Sequence, residues 1–190
     1  AVEQMKPAPG QTILDLCAGA GTKSGQLAEM MGDRGTIFAT DSQAEKLESL
    51  LANCRRLGIS IVHPVPINQL DAAIGASKSL DWILIDAPCS NTGVLARRPE
   101  ARYRVDRRSL EGLTKLQLNL LEQAAGLARA GTKLLYSTCS LEPEENEGVA
   151  SAFAKAHPEW RLRNSELTLP SSEGSPAARH DGGYWSIWSR

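Results

Sequence analysis

Short apolar runs rich in β-branched residues alternate along the chain with longer stretches in which apolar positions recur every three or four residues. That order predicts a parallel sheet with helices on both faces. Thr12–Cys17, Gly35–Thr40, Leu80–Asp86 and Lys133–Ser137 read as strands. Helices are expected over Thr22–Met31, over Ser42–Leu57 with Gly58 as the stop, and from about Pro143 to Ala156. The first turn of the last carries Glu144 and Glu145, which suit the positive end of a helix dipole. Leu110, Leu113, Leu116, Leu120, Ala124 and Leu127 keep helical spacing and mark one more helix. A third strand near Ile61–Ile67 contains Pro64 and Pro66, which cannot donate to a ladder, so it belongs at or near an edge. Residues 170–183, rich in Ser, Gly and Pro, read as a loop, and Tyr184–Trp188 as a final strand. No internal repeat is visible.

Composition narrows the class of protein. A chain of 190 residues with 42% hydrophobic content is expected to form a single domain with a well-buried core. A net charge of -1 gives no global pull toward nucleic acid or membrane, so affinity for a polyanion must come from a local patch. No run approaches the roughly 18 apolar residues of a membrane span, and no signal-peptide pattern is seen. Cys17, Cys54, Cys89 and Cys139 are widely spaced without a CxxC pair, which argues against zinc and against a disulfide scaffold. A reducing, cytoplasmic setting and a monomer are expected. The first strand begins so close to Ala1 that the chain reads as a catalytic core taken from something longer.

Three segments carry candidate chemistry. Asp15-Leu-Cys-Ala-Gly-Ala-Gly-Thr-Lys23 runs from a strand through a small-residue turn into a helix, and Asp41 ends the next strand, where an acid can hold both ribose hydroxyls of an adenosine cofactor. The arrangement suits NAD or S-adenosylmethionine. A phosphate-binding P-loop is set aside because Thr22 precedes Lys23, and Ser24 in place of a third glycine favours S-adenosylmethionine. Asp86-Ala-Pro-Cys89-Ser90 and Ser137-Thr-Cys139-Ser140 each set a thiol just after an apolar strand, a pattern that suggests a nucleophile with a helper. Arg97, Arg98, Arg102, Arg104, Arg107 and Arg108 lie within twelve residues against only Glu100 and Asp106, an obvious phosphate contact, and Tyr103 among them can stack on a base.

These residues resemble the Sun-type (Fmu-like) RNA cytosine carbon-5 methyltransferases. The resemblance rests on Leu14–Lys23, on Asp41 with Lys46-Leu47 and Asn53–Gly58, on Asp86–Gly93, and on Tyr136–Glu147. It implies a Rossmann-like α/β domain with a mostly parallel seven-stranded sheet, S-adenosylmethionine as cofactor and RNA, ribosomal or transfer, as partner, without metal or membrane. Cys139 is implied as the nucleophile on cytosine carbon 6, Cys89 as taking part in product release, Asp86 as hydrogen-bonding the cytosine edge and Lys23 as holding the base. Cys17, Ala18, Gly19, Ala20, Gly21, Thr22, Lys23, Asp41, Lys46 and Asp86 are implied to line the cofactor pocket. Arg97, Arg98, Arg102, Tyr103 and Arg104 are assigned to RNA. The chain departs from the family's Ala-Pro-Gly-Gly-Lys turn, reading Gly19-Ala20-Gly21-Thr22-Lys23, and has Asn68 where the family often has an acid. The RNA-binding segment that usually precedes the core is not expected within these residues. Other readings are an amino-group methyltransferase, a nicotinamide oxidoreductase, or a catalytically silent RNA-binding domain.

Overall fold

The computed structural model describes residues 1–75, 79–173 and 179–190. Seven strands form one sheet in the order β3-β2-β1-β4-β5-β7-β6, with helices between them in sequence. Contacts divide the chain into two compact units: residues 1–86, 124–135 and 190, and residues 87–123 and 136–189.

The first unit opens with a short helix, α1 (Val2–Met5), and continues β1 (Thr12–Asp15), α2 (Thr22–Met30), β2 (Thr36–Ala39), α3 (Ala44–Leu57), β3 (Val62–Pro64), α4 (Leu70–Ile74) and β4 (Trp82–Asp86). β1 pairs in parallel with β2 and β4, and β2 with β3. Ile13, Leu14, Ile37, Ile83 and Leu84 have no exposed surface, which is why these strands read as unbroken apolar runs. β3 stops at Pro64 and forms one edge of the sheet, where a residue without an N–H is tolerated. α3 ends at Gly58 in the left-handed conformation, as its glycine predicts. Its start is two residues later than expected, because the Asp41 carboxylate accepts the Gln43 N–H and holds Ser42 in a turn. α1 and α4 are too short to show a hydrophobic period, and the sequence gives no sign of them.

The second unit contains most of α5 (Arg107–Leu127), the end of β5 (Lys133–Thr138), α6 (Val149–Ala156), β6 (Arg161–Thr168) and β7 (Gly183–Ser189). Its core is aromatic: Tyr136, Phe153 and Trp188 are buried, with Phe153 and Trp188 edge to face at 5.3 Å. β6 pairs antiparallel with β7 at the other sheet edge, with a bulge between Leu162 and Asn164. The strand is exposed along nearly its whole length, so it lacks the alternation that would have revealed it. A π-helical turn at Glu144–Gly148, closed by the Gly148 N–H to the Pro143 carbonyl at 2.8 Å, precedes α6 where one continuous helix was expected. The loop expected over residues 170–183 is bridged by Ser171 and His180, and residues 174–178 of it lie outside the described residues. Among the described residues no helix is long and apolar enough to cross a membrane.

His157, which caps α6, packs on Phe153 at 4.9 Å and meets Glu122 at 2.8 Å and Glu159 at 3.1 Å. Burial pulls its pKa down, but its hydrogen bonds to the two carboxylates outweigh that and leave it above the ordinary 6.5. The folded state therefore holds this proton more tightly than the unfolded chain does. The stabilisation is complete below about pH 6.5 and is lost as pH rises through the raised value. In urea titrations, the stability advantage of the wild-type chain over His157→Gln should shrink from mildly acidic to alkaline pH; a constant difference would refute the coupling.

Candidate active site

β1 delivers Asp15 to the start of the small-residue turn. Ala18 accepts the Gly21 N–H at 2.9 Å, and Gly19 and Gly21 take φ of 56° and 88°, values that strain any residue with a Cβ. A Cβ on Gly21 would also lie 2.7 Å from Leu50 Cγ, so α3 packs where that side chain would stand. Asp15 is fully buried: Ser24 donates to Oδ2 at 2.6 Å, and Oδ1 has no hydrogen-bond partner among the described residues. Burial pushes this carboxyl up to about 7, against the opposing Ser24 hydrogen bond.

Asp41 closes the same turn from β2. Its Oδ2 accepts the Gly19 N–H at 3.0 Å, and Lys46 Nζ lies 3.4 Å from Oδ1. The carboxylate is nearly buried yet keeps lone pairs for further donors, which fits a pair of ribose hydroxyls. Lys23, in the first turn of α2, meets Asp86 at the end of β4 with Nζ 2.5 Å from Oδ2. Cys17, Ala18, Gly19, Ala20, Gly21, Thr22, Lys23, Asp41, Lys46 and Asp86 thus all belong to this unit, at the carboxyl ends of its parallel strands and in the segments that follow. Burial, with the Asp15, Asp41 and Asp86 charges behind it, raises the Cys17 thiol far above its ordinary range, so Cys17 keeps its proton and is no nucleophile.

In the second unit the two thiols stand together, Cys89 Sγ 3.1 Å from Cys139 Sγ. Asn91, in the left-handed conformation at φ 63°, ties them: its Oδ1 accepts from Cys139 Sγ at 3.1 Å and its Nδ2 donates to the Cys89 carbonyl at 2.9 Å. The hydrogen bond with Cys139, followed by burial, raises the Cys89 thiol well above its usual range. Behind them, Glu145 is buried and accepts from the Ser90 N–H, the Ser140 hydroxyl and Gln117 Nε2. The Gly93 N–H donates to the Cys139 carbonyl at 2.9 Å, and a Cβ on Gly93 would stand 2.5 Å from the Gly182 carbonyl oxygen. Asn91 and Gln117 were not singled out from the sequence, and Glu145 was read there only as a first-turn acid suiting a helix dipole. Their one advance signal was a place inside or beside the cysteine motifs, and Gln117 had none.

The arginine segment lies in the same unit. Arg97 pairs with Asp181 at 3.1 Å, whereas Arg98, Arg102 and Arg104 project from the surface. Tyr103 is 77% exposed, with the Arg102 guanidinium 4.6 Å from its ring centre. Among the described residues no group of three or more His, Cys, Asp or Glu is placed to hold a metal.

The model of the family described as 16S rRNA methyltransferase RsmB/F matches residues 2–179. A probable ribosomal RNA small subunit methyltransferase B of Synechocystis is 36% identical over 170 residues, 89% of this chain and 38% of that protein. Its counterpart in Bacillus subtilis is 34% identical over 157 residues, 82% of this chain and 35% of the relative. The chain therefore spans well under half the length of these relatives. The crystal structure of NSun6 from Pyrococcus horikoshii with SFG superposes with a TM-score of 0.79 at 26% identity, over 99% of this chain and 50% of that one.

Asp15 provides a direct check on the turn. Its unfolded carboxyl titrates near 3.8 and its folded one near 7, so the wild-type chain loses stability as pH rises through that window. Asp15→Asn removes the titrating group, and its stability relative to wild type should rise between about pH 5 and about pH 8 in urea titrations. A pH-independent difference would show that this carboxyl is not held protonated.

Proposed function

The chain belongs to the RsmB/F family of 16S rRNA methyltransferases, and from that premise we propose that it methylates carbon 5 of a cytosine in ribosomal RNA through a covalent bond between Cys139 and carbon 6. The observation that carries this reading is the pair of thiols 3.1 Å apart, each in a motif of the family. S-adenosylmethionine supplies an electrophilic methyl group. Residues 17–23 would line its site, Asp41 would accept its ribose hydroxyls, and Lys46 would steady Asp41.

Carbon 5 of cytosine is too weak a nucleophile to take a methyl group unaided. Addition of the Cys139 thiolate to carbon 6 makes carbon 5 enamine-like, and carbon 5 then forms the new carbon–carbon bond. Asp86, oriented by Lys23, faces the cytosine edge, where the pair steadies charge moved onto the ring. In the release a base takes the proton from carbon 5, the electron pair left behind restores the double bond to carbon 6, and the bond from carbon 6 to sulfur breaks, returning Cys139 as thiolate. Cys89, with its sulfur 3.1 Å from that of Cys139, takes part in this release, as its motif implies. The cytosine must leave any helix to be attacked, so single-stranded or flipped RNA is the substrate, held by Arg98, Arg102 and Arg104 with Tyr103 as a stacking face. A reducing cytoplasm, where neighbouring thiols stay reduced, is the setting of this proposal.

With ribosomal RNA carrying 5-fluorocytosine, whose fluorine cannot be eliminated, the wild-type chain and Cys89→Ala should form a denaturant-resistant adduct and Cys139→Ala none. On ordinary RNA, Cys89→Ala should accumulate the adduct that wild type resolves. Methyl transfer retained by Cys139→Ala would overturn the assignment. Replacing Arg98, Arg102 and Arg104 by Ala should weaken RNA binding and reduce the slope of log affinity against log salt by about 0.7 for each phosphate no longer neutralised. An unaltered slope would remove the segment from the interface.

A further inference from the structure

Each thiol is followed by a serine, as Cys89-Ser90 and Cys139-Ser140, and one side chain takes hydrogen bonds from both serines. We propose that Glu145 is a positioning residue that fixes the separation of Cys89 from Cys139; this deepens, and rests on, the roles given to the two thiols above.

Glu145 receives the Ser90 N–H at 3.0 Å and Gln117 Nε2 at 2.8 Å on Oε1, and the Ser140 hydroxyl at 2.6 Å on Oε2. All three partners donate, so the site calls for a group that only accepts, a carboxylate rather than an amide. Gln117 Nε2 also donates to the Pro88 carbonyl at 2.9 Å, so the residues on both sides of Cys89 are tied to this centre. Asn146 does the same for Cys139: its Oδ1 accepts from Thr138 and its Nδ2 donates to the Ser140 carbonyl. The π-helical turn is what aims these neighbours inward. Glu145 and Asn146 have no exposed surface, whereas Glu144 and Glu147, in the same turn, face solvent. The Tyr136 hydroxyl, donating to the Glu145 carbonyl at 2.7 Å, pins that turn to β5.

Stability alone does not call for this arrangement. Burying a carboxylate costs free energy that an apolar side chain of similar volume would not incur, even when donors compensate. What the carboxylate provides, and an apolar group cannot, is a directional link between the two loops. A shift of either loop by an ångström would take the thiols out of hydrogen-bond reach.

Glu145→Gln keeps the volume but sets an N–H against a donor. The folded variant should show an unchanged KM for RNA, a kcat lower by about 100-fold, and the adduct accumulation expected of Cys89→Ala. Phenylarsine oxide gives a readout free of RNA and cofactor. Its arsenic forms two bonds to sulfur as both thiol protons leave with its oxygen as water, so tight capture requires two thiols at short range. Wild type should capture it tightly, Cys89→Ala and Cys139→Ala should not, and Glu145→Gln should capture it at least about tenfold more weakly. Should Glu145→Gln fail to fold, Ser140→Ala, which removes one tie, is judged by the same measures. Capture or kcat equal to wild type in a folded variant would overturn the proposal. Methyl transfer by Cys139→Ala would instead strike the reading it rests on, since the arsenical assay judges the spacing alone.

Discussion

A carboxylate cut off from water must either find donors or keep its proton, and this protein meets that constraint once in each way. Glu145 gathers a backbone N–H, a hydroxyl and an amide from three segments of its unit, and gathering them draws those segments together. Asp15 has one hydroxyl and an oxygen with no partner among the described residues, and burial raises its pKa to about 7. The first solution builds a rigid network. The second leaves a titratable group under the glycine turn, poised near neutrality.

What could be read in advance follows from where each element lies. β1, β2 and β4 are covered on both faces, so their sequences are apolar runs and their positions were legible to within two residues. Pro64 in β3, with Pro66 just beyond the strand, pointed to its edge position. β6 was invisible because its residues face water on both sides, and a strand held by its ladder to β7 leaves no periodic trace. The π turn escaped for a different reason. One extra residue per turn changes which side chains face inward, and a helical period projected through Pro143–Ala156 gives no notice of it.

The site was legible in kind but not in arrangement. Motif and position singled out Cys89, Cys139, Asp41 and Lys23, and the structure sets the two thiols side by side and Asp41 against the Gly19 amide. The ion pair of Lys23 with Asp86 joins residues far apart in sequence, which no local pattern announces. Asn91 was passed over because asparagine in a turn is ordinary; only its left-handed backbone turns its side chain to both cysteines. Gln117 sat among leucines that mark a core-facing helix, and there a polar residue is easily counted as surface.

The close approach of Gly93 to Gly182 gives the second unit an order of assembly. Gly93 hands its N–H to the Cys139 carbonyl and receives the Gly182 N–H on its own carbonyl, so three distant segments meet through backbone alone. Because Gly182 lies just before β7, a ribosome releasing the chain amino end first delivers this partner after the other two. Until then the backbone around the thiols lacks one of its braces. The surroundings of the thiol pair are thus completed last, by a residue that carries no side chain.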